Sequence, residues 1–332
     1  MSLFADNFSN RPDQDSEPEP AATPTSSSPA NAALAPPLAG DPLSFASAPP
    51  VVVPYSQRPE VPEDLRISWS WVHLLCFGLF ALVVLVVVPS VVAIPYLQGK
   101  HLQPEKLQNY LFSIPQFVVG STFAVFALVF LFLYVTLSAL PGKPFWHTLG
   151  WRKLIPTASK LPSKPWLYFV SGAGLSLLAA IFGSRVHTPD DMPIELLMKS
   201  RIGAMFMMGM AVAVAPLVEE TVFRGYLYPV IVRIASAILR FLGMDSAQAL
   251  RSGVASSILV TGVSFGLLHG SQLAWTWGIV FVLILVGITF TYVRARTGTV
   301  FASYLMHLGY NSLIAFAAAA GTHGFTKMSP HP

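Results

Sequence analysis

Long apolar runs separated by short polar breaks constrain this chain more than any other feature. The first extends from Trp71 to Val88 and on to about Leu97. Others cover Phe117 to Leu140, Trp166 to about Gly183, Ile202 to Val218, Gly253 to Leu268, Trp275 to Val293 and Val300 to Ala320. A helix crosses the bilayer core with about 20 such residues. Tyr226 to Leu242 is more amphipathic, carries Arg233 and Arg240, and reads as either a span or an interfacial helix. Together these runs predict an all-α fold, a polytopic membrane helix bundle of about eight transmembrane helices. Composition agrees. The chain is 53% hydrophobic and only 11% charged, whereas soluble domains carry about 25% charge. The net charge of +4 comes from cations in short loops, a pattern of membrane topology that argues against a nucleic-acid partner. A single cysteine, Cys76, can form neither an internal disulfide nor a thiolate metal site.

Four regions follow. Residues 1–66 are rich in Pro, Ser and Ala with mostly acidic charges, and bury too little apolar area to offset their ordering entropy, so a disordered tail is expected. They hold no basic n-region followed by an apolar stretch, which argues against reading them as a signal peptide. Residues 67–198 hold the first membrane helices and a polar loop, residues 199–320 the polar-bearing helical core, and residues 321–332 a short C-terminal tail. The loop Pro141 to Pro165 carries Lys143, Arg152, Lys153, Lys160 and Lys164 and no acid, which places it in the cytoplasm. With eight spans both termini are expected on that side, in a plasma membrane. Arg251, Arg294 and Arg296 then fall on the opposite side, against the trend.

From Ser200 onward the only acids are Glu219, Glu220 and Asp245. The first two end an apolar run, in Ala215-Pro-Leu-Val-Glu-Glu-Thr-Val-Phe-Arg-Gly225. A charge at mid-membrane costs about 2.5–3.5 kcal/mol on the lenient insertion scale, so two glutamates and Arg224 left unpaired would cost roughly 8–10 kcal/mol. Glu220 and Arg224 stand at i and i+4, one turn apart on one face. Glu219 points about 100° away and has no partner at helical spacing. The spacing therefore commits Arg224 to Glu220 and leaves Glu219 to face something else. The bland alternative has all three snorkelling to the interface.

Two histidines lie deep in apolar runs. His269 closes Ser264-Phe-Gly-Leu-Leu-His269, and His307 sits four residues before Asn311 on one helical face. His73, near the start of the first run, is explained by an interfacial position. Either deep histidine alone suits interhelical hydrogen bonding. Glutamate, two histidines and asparagine on three separate helices point instead to one shared polar cavity. There a carboxylate beside a neutral imidazole can activate water as a general base, and a second histidine with an asparagine amide can donate to a developing oxyanion. Those parts suffice for amide hydrolysis without a covalent intermediate. The residues demand no cofactor. Zinc held by Glu219, His269 and His307, with one position open for water, is the metal-dependent alternative.

At these positions the chain resembles the CPBP intramembrane protease family, which includes the type II CAAX prenyl endopeptidases and lysostaphin-resistance-type proteins. The family is marked by EExxxR, FxxxH and HxxxN on separate membrane helices. Here these are Glu219-Glu220-Thr-Val-Phe-Arg224, Phe265-Gly-Leu-Leu-His269 and His307-Leu-Gly-Tyr-Asn311. The resemblance covers about Lys199 to Ala320. It implies an eight-helix bundle with a cavity opening to the cytosol. In it Glu219 activates water with help from His269, His307 and Asn311 form the oxyanion site, and Glu220, Arg224 and Phe265 support them. The implied partners are the lipid bilayer and a membrane-anchored peptide or protein substrate, of the lipidated CAAX kind in eukaryotic members. Some relatives act as scaffolds or immunity proteins, so a catalytically silent scaffold is the first alternative.

Two further readings remain. Gly262-Val-Ser-Phe-Gly266 matches G-x-S-x-G, and Ser264 with His307 would make a rhomboid-like dyad. The motif lies inside a helical run, however, without the strained turn a nucleophile elbow needs. A transporter would use buried Glu and His as a relay, but the internal symmetry that would support it is not evident. Met205, Met207, Met208 and Met210 read as apolar filler, and His187 to Glu195 as a solvated loop leading into a short helix.

Overall fold

Proline and capping residues set the helix starts. Pro104, Pro115 and Pro165 open helices, where a missing N–H costs nothing. Ser200, Asp245 and Thr299 cap others, accepting from Gly203 N, from Ala247 N and Gln248 N, and from Phe301 N. The computed structural model describes residues 61–155, 161–189, 198 and 200–326, and every regular element among them is helical. These are α1 (Trp71–Leu97), α2 (Pro104–Phe112), α3 (Pro115–Tyr134), α4 (Phe145–Thr148), α5 (Pro165–Gly183), α6 (Arg201–Ala213), α7 (Ala215–Glu220), α8 (Tyr228–Phe241), α9 (Ser246–Leu268), α10 (Trp277–Thr297) and α11 (Val300–Gly321). A π-helical segment, Val135–Ala139, extends α3, and a second, Thr221–Leu227, joins α7 to α8. Residues 1–60 of the expected tail, Lys160 in the basic loop, residues 190–197 and residues 327–332 lie outside the described residues.

Among the described residues, seven helices are long and apolar enough to cross a membrane. The chain is thus an integral, multi-pass membrane protein, a bundle close to the expected size. The fourth and fifth apolar runs join in one helical stretch of 41 residues, Arg201–Phe241. The stretch is interrupted at Val214, between α6 and α7, and continues through the π segment into the amphipathic α8.

Contacts define one end of the bundle. Val300 N donates to Gly150 O at 3.0 Å, Arg294 pairs with Asp64 at 2.8 Å, and Arg233 donates to Ile67 O and Trp69 O. The start of α1, the α4–α5 connection, the α10–α11 turn and α8 therefore meet at one end. Glu63–Leu65, the last part of the expected tail, form a 3₁₀ turn there, with Leu65 buried against Tyr228 and Val232. His73 is not simply interfacial. Its ring nitrogens reach the Tyr226 hydroxyl at 2.8 Å and Thr136 Oγ1 at 3.0 Å, tying α1 and α3 to the π segment.

Small residues let the helices of the core approach closely. A Cβ on Gly172 of α5 would strike Met306 O, and one on Gly309 of α11 would strike Phe169 O. Gly262 and Gly266 of α9 pack in the same way against Ile288 and Ile284 of α10. By contrast α1 turns Leu75, Leu79, Leu82 and Val86 outward, as a lipid-facing helix should. The tight packing of α5, α9, α10 and α11 is what holds the polar side chains at fixed separations.

Candidate active site

The turn from α7 into the π segment carries both glutamates. Val214 ends α6, and Pro216 opens α7 without an N–H to donate back. The i→i+5 bonds of Thr221–Leu227 then widen the helix just past Glu220, a distortion that favours functional placement of side chains.

Glu220 and Arg224 are fully buried. Arg224 Nη1 donates to Glu220 Oε1 at 3.0 Å, Nη2 to Gly287 O at 2.8 Å and Nε to Thr291 Oγ1 at 3.2 Å. Its guanidinium also lies over the Phe265 ring at 4.6 Å from the centroid. Three directed donors plus an aromatic face satisfy a cation that no water reaches. The i, i+4 pairing is therefore present deep in the bundle, and the interfacial snorkelling alternative does not describe it.

His307 joins the two glutamates. Its Nδ1 lies 3.1 Å from Glu220 Oε1, and its Nε2 lies 3.8 Å from Glu219 Oε2. Glu219 retains 19% side-chain exposure while Glu220 has none. The difference divides the pair into an inner, structural carboxylate and an outer one with access to solvent. Phe290 packs against the His307 ring at 4.9 Å.

His269 lies at the C-terminal cap of α9. Its Nδ1 is 2.8 Å from Phe265 O. The Phe265 ring packs against both imidazoles, 4.9 Å from His269 and 5.8 Å from His307. Among the described residues no hydrogen bond joins His269 to Glu219; the imidazole facing Glu219 is His307. Asn311 donates through Nδ2 to Ala211 O at 2.7 Å, filling an acceptor just ahead of the break between α6 and α7. One of its amide hydrogens is thus spent on a helix tether.

The partners of the imidazoles set their tautomers. A backbone carbonyl only accepts, so His269 donates from Nδ1. Glu220, already accepting from Arg224, receives the Nδ1 proton of His307. In its neutral form each ring then presents Nε2 as an acceptor. Glu219 and His307 converge as two acceptors, a geometry suited to a water donating both hydrogens.

The zinc alternative does not fit. Among the described residues no three His, Cys, Asp or Glu side chains are grouped to hold a metal ion. Ser264 makes no hydrogen bond to His307 among the described residues, so the serine dyad lacks its contact. Sequence reasoning missed Thr291, Gly287 and the Trp151 indole, which donates to Thr221 Oγ1 at 3.2 Å. A threonine and a glycine in an apolar run, and a tryptophan in a loop, carry no periodic signal.

The model of one protein family, described as type II CAAX prenyl endopeptidase Rce1-like, matches residues 201–313. No curated protein and no solved structure is significantly similar to the chain. The matched stretch begins at α6, ends within α11, and contains every glutamate, histidine and asparagine of the site. Residues 201–313 are therefore similar to the Rce1-like type II CAAX prenyl endopeptidases, the resemblance that the three motifs carry.

Proposed function

We propose that this chain is an intramembrane endopeptidase that hydrolyses a peptide bond of a membrane-anchored substrate through a water activated by glutamate and histidine. The observation that carries the reading is the buried array Glu219–His307–Glu220–Arg224 inside the family-matched core. Glu219, the exposed carboxylate, takes a proton from water as general base. The resulting hydroxide attacks the scissile carbonyl. The oxyanion is stabilised by the second amide hydrogen of Asn311, while Nε2 of the neutral imidazole facing Glu219 accepts the hydrogen that the hydroxide keeps. Collapse returns the proton from Glu219 to the leaving amine. Glu220 and Arg224 hold His307, and Phe265 packs against both imidazoles. A bilayer-anchored peptide, with a lipidated CAAX-like C-terminus as the class in the family's name, is concentrated where such a site can meet it.

Orientation follows from the cations. Lys143, Arg152, Lys153, Lys164, Arg294 and Arg296 gather at the end of the bundle that holds the start of α1, and we assign that end to the cytoplasm. With Arg201–Phe241 as one crossing, Arg294 and Arg296 join the basic loop and the C-terminus falls on the opposite face. This differs from the even-numbered expectation and removes its conflict with the loop charges.

The test is cleavage of membrane-anchored peptides by the purified protein, run with and without chelator. Glu219→Gln and His269→Ala should each lose about 10²-fold or more in kcat/KM, while Ser264→Ala stays within about twofold of wild type. A dead Ser264→Ala beside an active Glu219→Gln would overturn the mechanism. Folded wild-type protein that cleaves neither lipidated nor unmodified anchored peptides would overturn the protease reading in favour of a silent scaffold.

A further inference from the structure

A short turn segment, Leu149–Arg152, closes the cytoplasmic-side end of the core, and its contacts run to both halves of the site. The Trp151 indole N–H donates to Thr221 Oγ1 at 3.2 Å, and the Thr221 hydroxyl donates to Leu217 O at 2.7 Å. These bonds bracket the turn Leu217–Thr221, on which Glu219 and Glu220 stand. The same indole packs on Tyr304 at 5.3 Å. Tyr304 lies three residues before His307 on α11, one turn away on the same face. One side chain thus touches the glutamate-bearing turn and the histidine-bearing helix.

The segment is itself held by fitted contacts. A Cβ on Gly225 would come within 2.8 Å of Leu149 O, so the π segment and Leu149 touch backbone to backbone. Gly150 has φ +77°, a conformation that favours glycine, and a Cβ there would stand 2.8 Å from Arg294 Nη2. Arg152 O accepts from Thr299 Oγ1 at 2.7 Å. Two ion pairs add Glu63 and Asp64 to this assembly. Asp64 Oδ2 meets the buried Arg294 at 2.8 Å, and Glu63 meets Arg152 at 3.0 Å.

We propose that Trp151 is a positioning residue of the hydrolytic site, setting the spacing between Glu219 and His307, and that Glu63 and Asp64 lock the segment that carries it. The proposal rests on the hydrolytic reading of that site. A π-helical turn has poorer internal hydrogen bonding than an α-helix, so the turn leading into it depends on outside bracing for its register. The 3.8 Å between Glu219 and His307 leaves little room for drift if one water is to reach both. Trp151 touches no reacting atom and acts only through Thr221 and Tyr304.

The experiment compares Trp151→Phe, Thr221→Val, their combination, Asp64→Asn and Asp64→Glu in the full chain. Trp151→Phe keeps an aromatic ring against Tyr304 and removes the N–H donor. Turnover and amide hydrogen exchange across Leu217–Tyr228 are both read. The expected result for Trp151→Phe is kcat down about tenfold or more with KM within about twofold, since misplacement of about 1 Å can cost up to 10²-fold. Exchange in Leu217–Tyr228 rises about tenfold while the melting temperature holds. The double variant is no worse than Thr221→Val alone, and Asp64→Glu recovers most of what Asp64→Asn loses. Unchanged kcat and exchange in Trp151→Phe, or a change matched by a general loss of stability, overturns the proposal. Absence of turnover in the wild type is a different failure, that of the protease reading, and the exchange data still report whether Trp151 braces the turn.

Discussion

Arg224→Met isolates the worth of the buried ion pair. The substitution keeps a long flexible side chain over Phe265 and removes donors to Glu220 at 3.0 Å, Gly287 O at 2.8 Å and Thr291 at 3.2 Å. Glu220 is fully buried and would lose its cationic partner while keeping His307 Nδ1, at 3.1 Å. Breaking one partner of a buried pair costs about 3–5 kcal/mol, chiefly from the charge left behind. That figure is to be preferred over a sum of three bonds, because the bonds share one guanidinium and are not additive. Adding Glu220→Leu removes the stranded charge and recovers most of the loss, leaving about 1–3 kcal/mol for the unpartnered His307 Nδ1 and Gly287 O. Reversible unfolding in mixed micelles with a denaturing detergent reads both values, and activity reads whether His307 remains aligned. A loss below about 1 kcal/mol for Arg224→Met, or additive effects of the two substitutions, would refute the view that the pair is a charged, water-excluded brace.

Three other outcomes are expected. Gly172→Ala should destabilise the bundle by about 3 kcal/mol or more, because the added methyl meets the α11 backbone at Met306 O; normal stability would mean that α5 and α11 are not packed this closely. Asn311→Ala should cost about 0.6–2 kcal/mol in stability as a lost interhelical bond to Ala211 O. Its kcat should fall about 10²-fold or more if the second amide hydrogen serves the oxyanion, and stability loss with unchanged kcat would reduce Asn311 to a tether. Cysteine labelling from either side of the membrane should find a cysteine placed at Lys143 and one placed at Thr326 on opposite faces; labelling from the same face would restore an even number of crossings.

The long apolar runs determined, without any coordinates, that this chain is an all-helical membrane bundle, because no other arrangement satisfies backbone polar groups in lipid. Helical spacing alone also brought Glu220 to Arg224 and His307 to the face of Asn311, since i, i+4 neighbours meet in any helix. Which residues from different helices meet was another matter. Spacing along the chain holds no information about the approach of α11 to α7, so the partner of Glu219 became His307 only when the folded bundle set the two helices side by side. The same is true of Asn311, whose amide is drawn to Ala211 O by a helix break visible as Pro216 but aimed only in three dimensions. The joining of two apolar runs into Arg201–Phe241 was hidden because charged Glu219, Glu220 and Arg224 look like a loop in a hydropathy trace. They are instead mutually satisfied inside the bundle, where tertiary contacts make burial affordable. Trp151 and the pairs of Glu63 and Asp64 belong wholly to tertiary structure. Their contacts span tens to hundreds of residues of sequence, and only the folded chain brings them to the site.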